Sequence, residues 1–421
     1  MLSKMKKMVC LVLGMGLLFT GCAFQMPDAG SPDEGTQEQS IEVKTGDGDA
    51  DAQGNTVIVF EKENAADEVQ SLPSADLAEV QQNLVSEGAV NYAYEQLNTE
   101  EQLVYSEILG ILKNLQSDVQ VSTIDTELID KAFSCVMLDH PEIFYITGYS
   151  ITKYTRGSSL EKITLSGTYT MDRDEAAQKQ LAVDAYTDRC LAGAPQGADE
   201  YEKVKYIYEY IIKNTEYDLA APDNQNILSV FEGKRSVCQG YAKATQYLLN
   251  KLNVFCTLVE GRVKDREAHV WNLVRVNGSY YYVDTTWGDA SYNLVSDGEP
   301  APVQAPPINY DYLCVPERMI AETHIIKETV PLPECTSMES NYYVREGIYF
   351  EAVEEGQLTT AFASAYEQNK TVVTLKCSDA SVYEQMRRYL ITEEKVFGYL
   401  KHGQSVSYVE MPEQLTLLFY L

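Results

Sequence analysis

Residues 236–253 read S-V-C-Q-G-Y-A-K-A-T-Q-Y-L-L-N-K-L-N, residues 254–263 V-F-C-T-L-V-E-G-R-V, and residues 268–289 A-H-V-W-N-L-V-R-V-N-G-S-Y-Y-Y-V-D-T-T-W-G-D. In order, these are a helix, a strand and a hairpin. Ser236 followed three residues on by Gln239 has the form of a capping box, and Tyr241, Thr245, Leu248, Leu249 and Leu252 fall behind it at helical spacing. Cys238 is therefore expected in the first turn. There, unpaired backbone N–H groups and the positive end of the helix dipole favour thiolate over thiol. The same N–H groups could hold the oxyanion formed when a thiolate attacks a carbonyl.

The hairpin is fixed by Asn277-Gly278, a two-residue turn signal between two apolar, aromatic-rich runs, which pairs Val276 with Ser279. Counting back places Trp271 opposite Asp284 and His269 opposite Thr286. Residues two apart on a strand share a face, so His269 and Asp284 become diagonal neighbours. A carboxylate there accepts an imidazole N–H, fixes the tautomer and leaves the second nitrogen to take a proton from Cys238. A slip of one residue would turn the aspartate to the other face.

S-V-C-Q-G-Y-A, the hairpin A-H-V-W-N-L-V-R-V-N-G-S-Y-Y-Y-V-D-T-T-W-G-D and the upstream N-T-E-Y-D at 214–218 together resemble the transglutaminase-like superfamily, whose core is a papain-like cysteine-histidine-aspartate arrangement. The resemblance covers about Asp199 to His324. It implies Cys238 as nucleophile, His269 as general base and acid, and Asp284 as its orienting partner. It departs at two points. Thr285 follows the aspartate where many members have proline, and both tryptophans, Trp271 and Trp287, lie downstream of the cysteine, whereas cross-linking members use an upstream indole at the oxyanion. The second departure favours hydrolysis over cross-linking. Gln239, Tyr217 and Trp271 are the candidates for oxyanion or cleft-lining positions.

The chain has 421 residues, 45% of them hydrophobic, with 30 tyrosines, enough for two or three domains with substantial cores. A net charge of −30 makes nucleic acid a poor partner, since phosphate recognition needs a basic face. Lys4, Lys6 and Lys7 precede an apolar run, Met8 to Phe19, too short to span a bilayer. It ends in L-F-T-G-C and resembles a bacterial lipoprotein signal, with Cys22 as the acylated residue. From residue 23 to 89 acidic and small polar residues dominate, a composition expected to form a disordered tether; Thr56 to Phe60 is a strand-like exception without an evident partner.

The remaining chain reads as an N-terminal α+β region (90–197), the catalytic core (198–328) and a C-terminal α+β domain (336–421). Asn98 with Glu101 caps a helix to about Leu115, and a second runs from Thr126 to Leu138, stopping before Pro141. Strands follow at 143–155 and 162–170, then helices at 173–192 and 202–213. His140 reads as a helix-terminating residue and His324 as a structural one. Ser291 to Pro307 is a polar, proline-rich loop long enough to border a groove. In the last domain a strand is expected at 342–350, then helix, strand and helix before two apolar runs.

Six cysteines besides Cys10, Cys22 and Cys238 lack disulfide or metal spacing, and the four histidines are widely separated, so no metal and no cofactor is expected. The fold class expected is α+β, a papain-like or transglutaminase-like core with a helix bearing an N-terminal cysteine packed on an antiparallel sheet, flanked by two small α+β regions. The function expected is that of a lipid-anchored extracytoplasmic thiol enzyme acting on protein or peptide amide bonds. The alternative is a surface binding or scaffolding protein that uses the same fold without catalysis.

Overall fold

The computed structural model describes residues 5–7, 56–62, 68–87, 90–263, 268–289 and 308–421. Cys22, the apolar run from Met8 to Phe19 and the loop from Ser291 to Pro307 lie outside the described residues. The chain divides into a larger unit, residues 40–300 and 304–342, and a smaller one, residues 1–39, 301–303 and 343–421.

Strand β1 (Met5–Lys7) belongs to the smaller unit. The larger unit begins with β2 (Thr56–Lys62), β3 (Gln70–Ser71), α1 (Ser74–Glu87), α2 (Tyr92–Glu95), α3 (Thr99–Lys113), β4 (Val119–Val121) and α4 (Thr126–Asp139). It continues with β5 (Ile146–Arg156), β6 (Ser159–Tyr169), α5 (Arg173–Ala192), α6 (Glu200–Asn214), β7 (Glu216–Tyr217), β8 (Arg235–Ser236) and α7 (Cys238–Lys251). It closes with β9 (Cys256–Val263), β10 (Ala268–Val276), β11 (Ser279–Val283), α8 (Thr285–Gly288) and β12 (His324–Lys327).

The hairpin positions the site. Val276 pairs with Ser279, and Asn277 and Gly278 take φ of 52° and 83°, the two positive values that a right-twisted two-residue turn needs. The ladder runs back to Asn272 opposite Val283 and stops there, because Asp284 leaves the strand to cap α8. Strand β10 is an inner strand of a four-stranded antiparallel sheet, order β11-β10-β9-β12, and α7 lies on it with almost every residue buried.

The N-terminal helices match their sequence signals. The Asn98 and Glu101 capping box is formed at the head of α3, and α4 ends with His140 as its C-cap. No domain boundary falls at residue 197. Ala242 of α7, Leu258 of β9 and Val270 of β10 share one apolar core with Ile108 of α3 and with Phe133 and Val136 of α4. Gln246 also donates from Nε2 to the Leu138 carbonyl at 2.7 Å. The N-terminal α+β region is thus built into the core's own packing.

The expected tether is also corrected in part. Strand β2 pairs in parallel with β5, residue 56 beside 148 through 62 beside 154, and β3 pairs with β4. In α1, Val80 and Leu84 fall one helical turn apart and reach the same core. Acidic composition averaged over 67 or so residues hides this short apolar stripe.

The smaller unit carries a five-stranded sheet, order β1, β15 (Val406–Met411), β16 (Thr416–Tyr420), β14 (Val372–Cys377), β13 (Tyr349–Phe350), with helices Glu355–Glu367 and Ala380–Arg387. The strand expected over 342–350 is reduced to its last two residues. A helical turn, Tyr342–Arg345, and Gly347 at φ 70° interrupt the extended run. No described helix is long and apolar enough to cross a membrane. Both units mix helices and sheets, so the fold is α+β.

Candidate active site

Cys238 is the first residue of α7, as its sequence context predicts, but the cap differs. The N-cap is Val237, which makes no side-chain cap hydrogen bond. Ser236 is held in the short parallel pair of β7 and β8, and its hydroxyl turns back to Ser229 Oγ at 2.6 Å. The Ser236 hydroxyl is thus engaged with Ser229, and Val237 takes the N-cap position. The Val237 side chain therefore offers no acceptor to the first turn of α7. Gly240 allows this close arrangement: a Cβ there would overlap Ser236 Oγ and come within 2.7 Å of Ser229 Oγ.

On the facing strand, His269 pairs with Gly261 of β9 and is buried. Its Nε2 lies 2.7 Å from Asp284 Oδ2, and Cys238 lies close enough to act on the charge of the ring. Asp284 Oδ1 accepts from the N–H groups of Thr286 at 2.8 Å and Trp287 at 3.1 Å, the N-cap bonds of α8. Leaving the ladder thus serves the aspartate: capping a helix turn with one oxygen aims the other at His269.

A second imidazole shares that oxygen. His324 Nε2 lies 3.0 Å from Asp284 Oδ2, while its Nδ1 is 2.7 Å from Thr323 Oγ1. Burial works against an ionised Asp284, but His269 and His324 outweigh it and hold the carboxyl well below the usual carboxylate range. For His269 burial likewise opposes the charge, and the Asp284 carboxylate, helped by Cys238, lifts its pKa to about 10. An ionised carboxylate can only accept, so both rings donate to it from Nε2. For His269 this leaves Nδ1 as the nitrogen for the thiol.

His269, Asp284 and His324 are also the group among the described residues that could hold a metal ion. Their nitrogen-to-oxygen separations of 2.7 and 3.0 Å are those of hydrogen bonds, whereas a zinc ion sits about 2 Å from each ligand. The cluster is already satisfied by its own protons.

The other sequence candidates divide. Tyr217 is partly exposed in β7, with its ring centroid 6.4 Å from that of Tyr241 in α7. Gln239 and Trp271 are fully buried, so neither side chain lines a cleft. Trp271 faces inward from the central strand and stacks on His269 at 5.9 Å between centroids. The half-buried Trp287 crosses His269 at 6.4 Å and His324 at 5.1 Å. The sequence reading took His324 as structural and Trp287 only as a tryptophan downstream of the cysteine: neither sits in a spacing that predicts contact with His269, and β12 reaches it only by pairing with β9.

Residues 185–285 match the model of the transglutaminase-like superfamily. The chain carries a transglutaminase-like domain. The matched residues include Tyr217, Cys238, His269 and Asp284 and end before His324. Over 113 residues the chain is 25% identical to the Kyphoscoliosis peptidase of Homo sapiens, covering 23% of this chain and 17% of that protein. Over 131 residues it is 24% identical to the Kyphoscoliosis peptidase of Mus musculus, covering 27% and 20% respectively. The match thus spans a fifth or less of the curated relatives' length. A solved structure described as a TGase shares 13% identity at a TM-score of 0.26, over 38% of this chain and 54% of that one. Around the matched residues, the rest of the larger unit supplies β2 to β6 and, after the match ends, β12 with His324.

Proposed function

We propose that the protein is a thiol enzyme acting on amide bonds of a protein or peptide, with Cys238, His269 and Asp284 as its catalytic residues. The observation that carries this reading is the buried His269–Asp284 pair, 2.7 Å apart, with the partly exposed Cys238 at the start of a helix and near enough to influence the imidazole. The transglutaminase-like domain match and the similarity to a peptidase agree with it.

In the proposed reaction the Cys238 sulfur adds to the amide carbonyl, and the first-turn N–H groups stabilise the oxyanion. His269 protonates the leaving amine as the C–N bond breaks, giving an acyl-enzyme. Water then adds, its proton passing to His269, and the C–S bond breaks to release the acid and restore the thiol. A lysine amine in place of water would give cross-linking. Hydrolysis is the preferred outcome, because no tryptophan precedes Cys238 in the sequence. An extracytoplasmic setting with a lipid on Cys22 completes the proposal, resting on the leader sequence alone.

The test is alkylation of Cys238 by a peptidyl chloroacetamide at pH 7. Cys238 is the one partly exposed thiol among the seven described cysteines; the other six are buried. It should react faster than free cysteine, and His269→Ala should slow it on the order of 10²-fold or more. Equal rates in wild type and His269→Ala would defeat the enzyme reading and leave the binding alternative. Release of product with and without an added amine separates hydrolysis from acyl transfer. Retention of a Cys22→Ser variant on membranes would defeat the anchor.

A further inference from the structure

We propose that His324 is a positioning residue of this site, so that the working group is Cys238, His269, Asp284 and His324 with one carboxylate oxygen shared by two imidazoles. The inference rests on the reading of Cys238 and His269 given above.

Asp284 accepts four hydrogen bonds, two backbone N–H groups on Oδ1 and two imidazole N–H groups on Oδ2. That fills the acceptor positions of an ionised carboxylate, so the group cannot rotate without losing partners. His324 is itself fixed. Its backbone pairs with Val263 of β9, its Nδ1 meets Thr323 Oγ1, and its ring packs edge-on against Trp271 at 4.9 Å and Trp287 at 5.1 Å. The side chain has no exposed surface, so it cannot touch a substrate, and any effect must pass through Asp284.

Two consequences follow. The second donor holds Oδ2 in the direction of His269 Nε2. It also draws on the same charge, so Asp284 holds the protonated His269 less tightly than a carboxylate with a single imidazole would. His324 thereby tempers the base as well as aiming it.

The test is the pH profile of Cys238 alkylation by iodoacetamide, whose alkaline step reports loss of the His269 proton. Titratable groups facing the network are Cys238 from α7, Asp284 at the head of α8, Tyr208 from α6 and Tyr312 from the turn Tyr310–Tyr312. Burial holds both tyrosines well above their usual range, so they stay neutral through the titration. In His324→Leu the alkaline step should move up by half a pH unit or more and the plateau rate should fall several-fold. His324→Gln, which returns an N–H at the same reach, should restore both. If the leucine variant does not fold, Thr323→Val, which removes the partner of His324 Nδ1, should give a smaller shift in the same direction. A wild-type profile in His324→Leu or Thr323→Val overturns the inference, as does a glutamine variant that behaves like the leucine one. The two failures are distinguishable: an unchanged profile in His269→Ala defeats the enzyme reading itself. Loss of the alkaline step in His269→Ala with an unmoved step in His324→Leu defeats only the role of His324.

Discussion

Asn272 on β10 donates from Nδ2 to the carbonyl of Ala242 on α7 at 3.0 Å, and the asparagine is fully buried. Ala242 lies one helical turn beyond Cys238, and Asn272 lies three residues beyond His269, so this bond ties the helix of the thiol to the strand of the imidazole. Asn272→Ala removes the bond and opens a small void, a loss of about 2 kcal/mol. Urea denaturation should show that loss, and alkylation of the folded variant's Cys238 should be slower than wild type. An unchanged midpoint would remove this bond from the account of how the site is held.

Gly240→Ala tests the helix start. The added methyl must displace Ser236 Oγ or Ser229 Oγ, two hydroxyls that hydrogen-bond each other at 2.6 Å. Ser236 belongs to the strand that leads into Cys238, so moving it moves the thiol. The expected cost is about 1–3 kcal/mol. Melting temperature and the Cys238 alkylation rate should fall together; a variant with native melting and native rate contradicts the close approach.

How far the sequence revealed this site depends on how local each determinant is. The turn at Asn277-Gly278 sets the hairpin register as far as Asn272 opposite Val283 and so brings Asp284 close to His269, but the expected pairs Trp271–Asp284 and His269–Thr286 do not form, because Asp284 and Thr286 belong to the start of α8. The absence of a capping box at Ser236 was not legible, because the competing strand pair with Glu216 and Tyr217 is formed by residues some 20 positions away. Trp271 looked like a cleft residue from its place beside His269, yet it is buried in an apolar cluster with Val315, Ile320 and Cys335 and against His324, all distant in sequence. His324 escaped for a similar reason: 40 residues separate it from Asp284, and only the pairing of β12 with β9 brings it there. The shared core of α3, α4 and α7 likewise has no local signature in the sequence.

Asp139 predicts a pH effect away from the site. It accepts the N–H groups of Ala93 and Tyr94, both at 2.9 Å, and the Tyr105 hydroxyl at 3.0 Å. Burial nevertheless lifts its pKa to about 6, against the lowering influence of His140 and of those three donors. An acid raised above its unfolded value contributes stability that is complete below about pH 4 and is lost as pH rises through about 6. Wild type should therefore lose about 2 kcal/mol relative to Asp139→Asn between pH 4 and 6.5. Paired urea titrations at four pH values check this, and parallel curves for the two proteins would refute it.

His269 and Asp284 give the opposite ends of a second window. The carboxyl is depressed, so its contribution is present above about pH 4 and is lost as pH falls through its folded value. The imidazole is raised to about 10, so its contribution is complete below about pH 6.5 and is lost as pH rises through about 10. Their joint contribution is then greatest between about pH 4 and 6.5. The difference in unfolding free energy between wild type and His269→Gln should be widest at pH 5.5, smaller at pH 8 and smallest at pH 10. A gap that stays constant over that range would mean the folded imidazole keeps its ordinary affinity for a proton. The carboxylate 2.7 Å away would then not be supporting a positive charge on the ring.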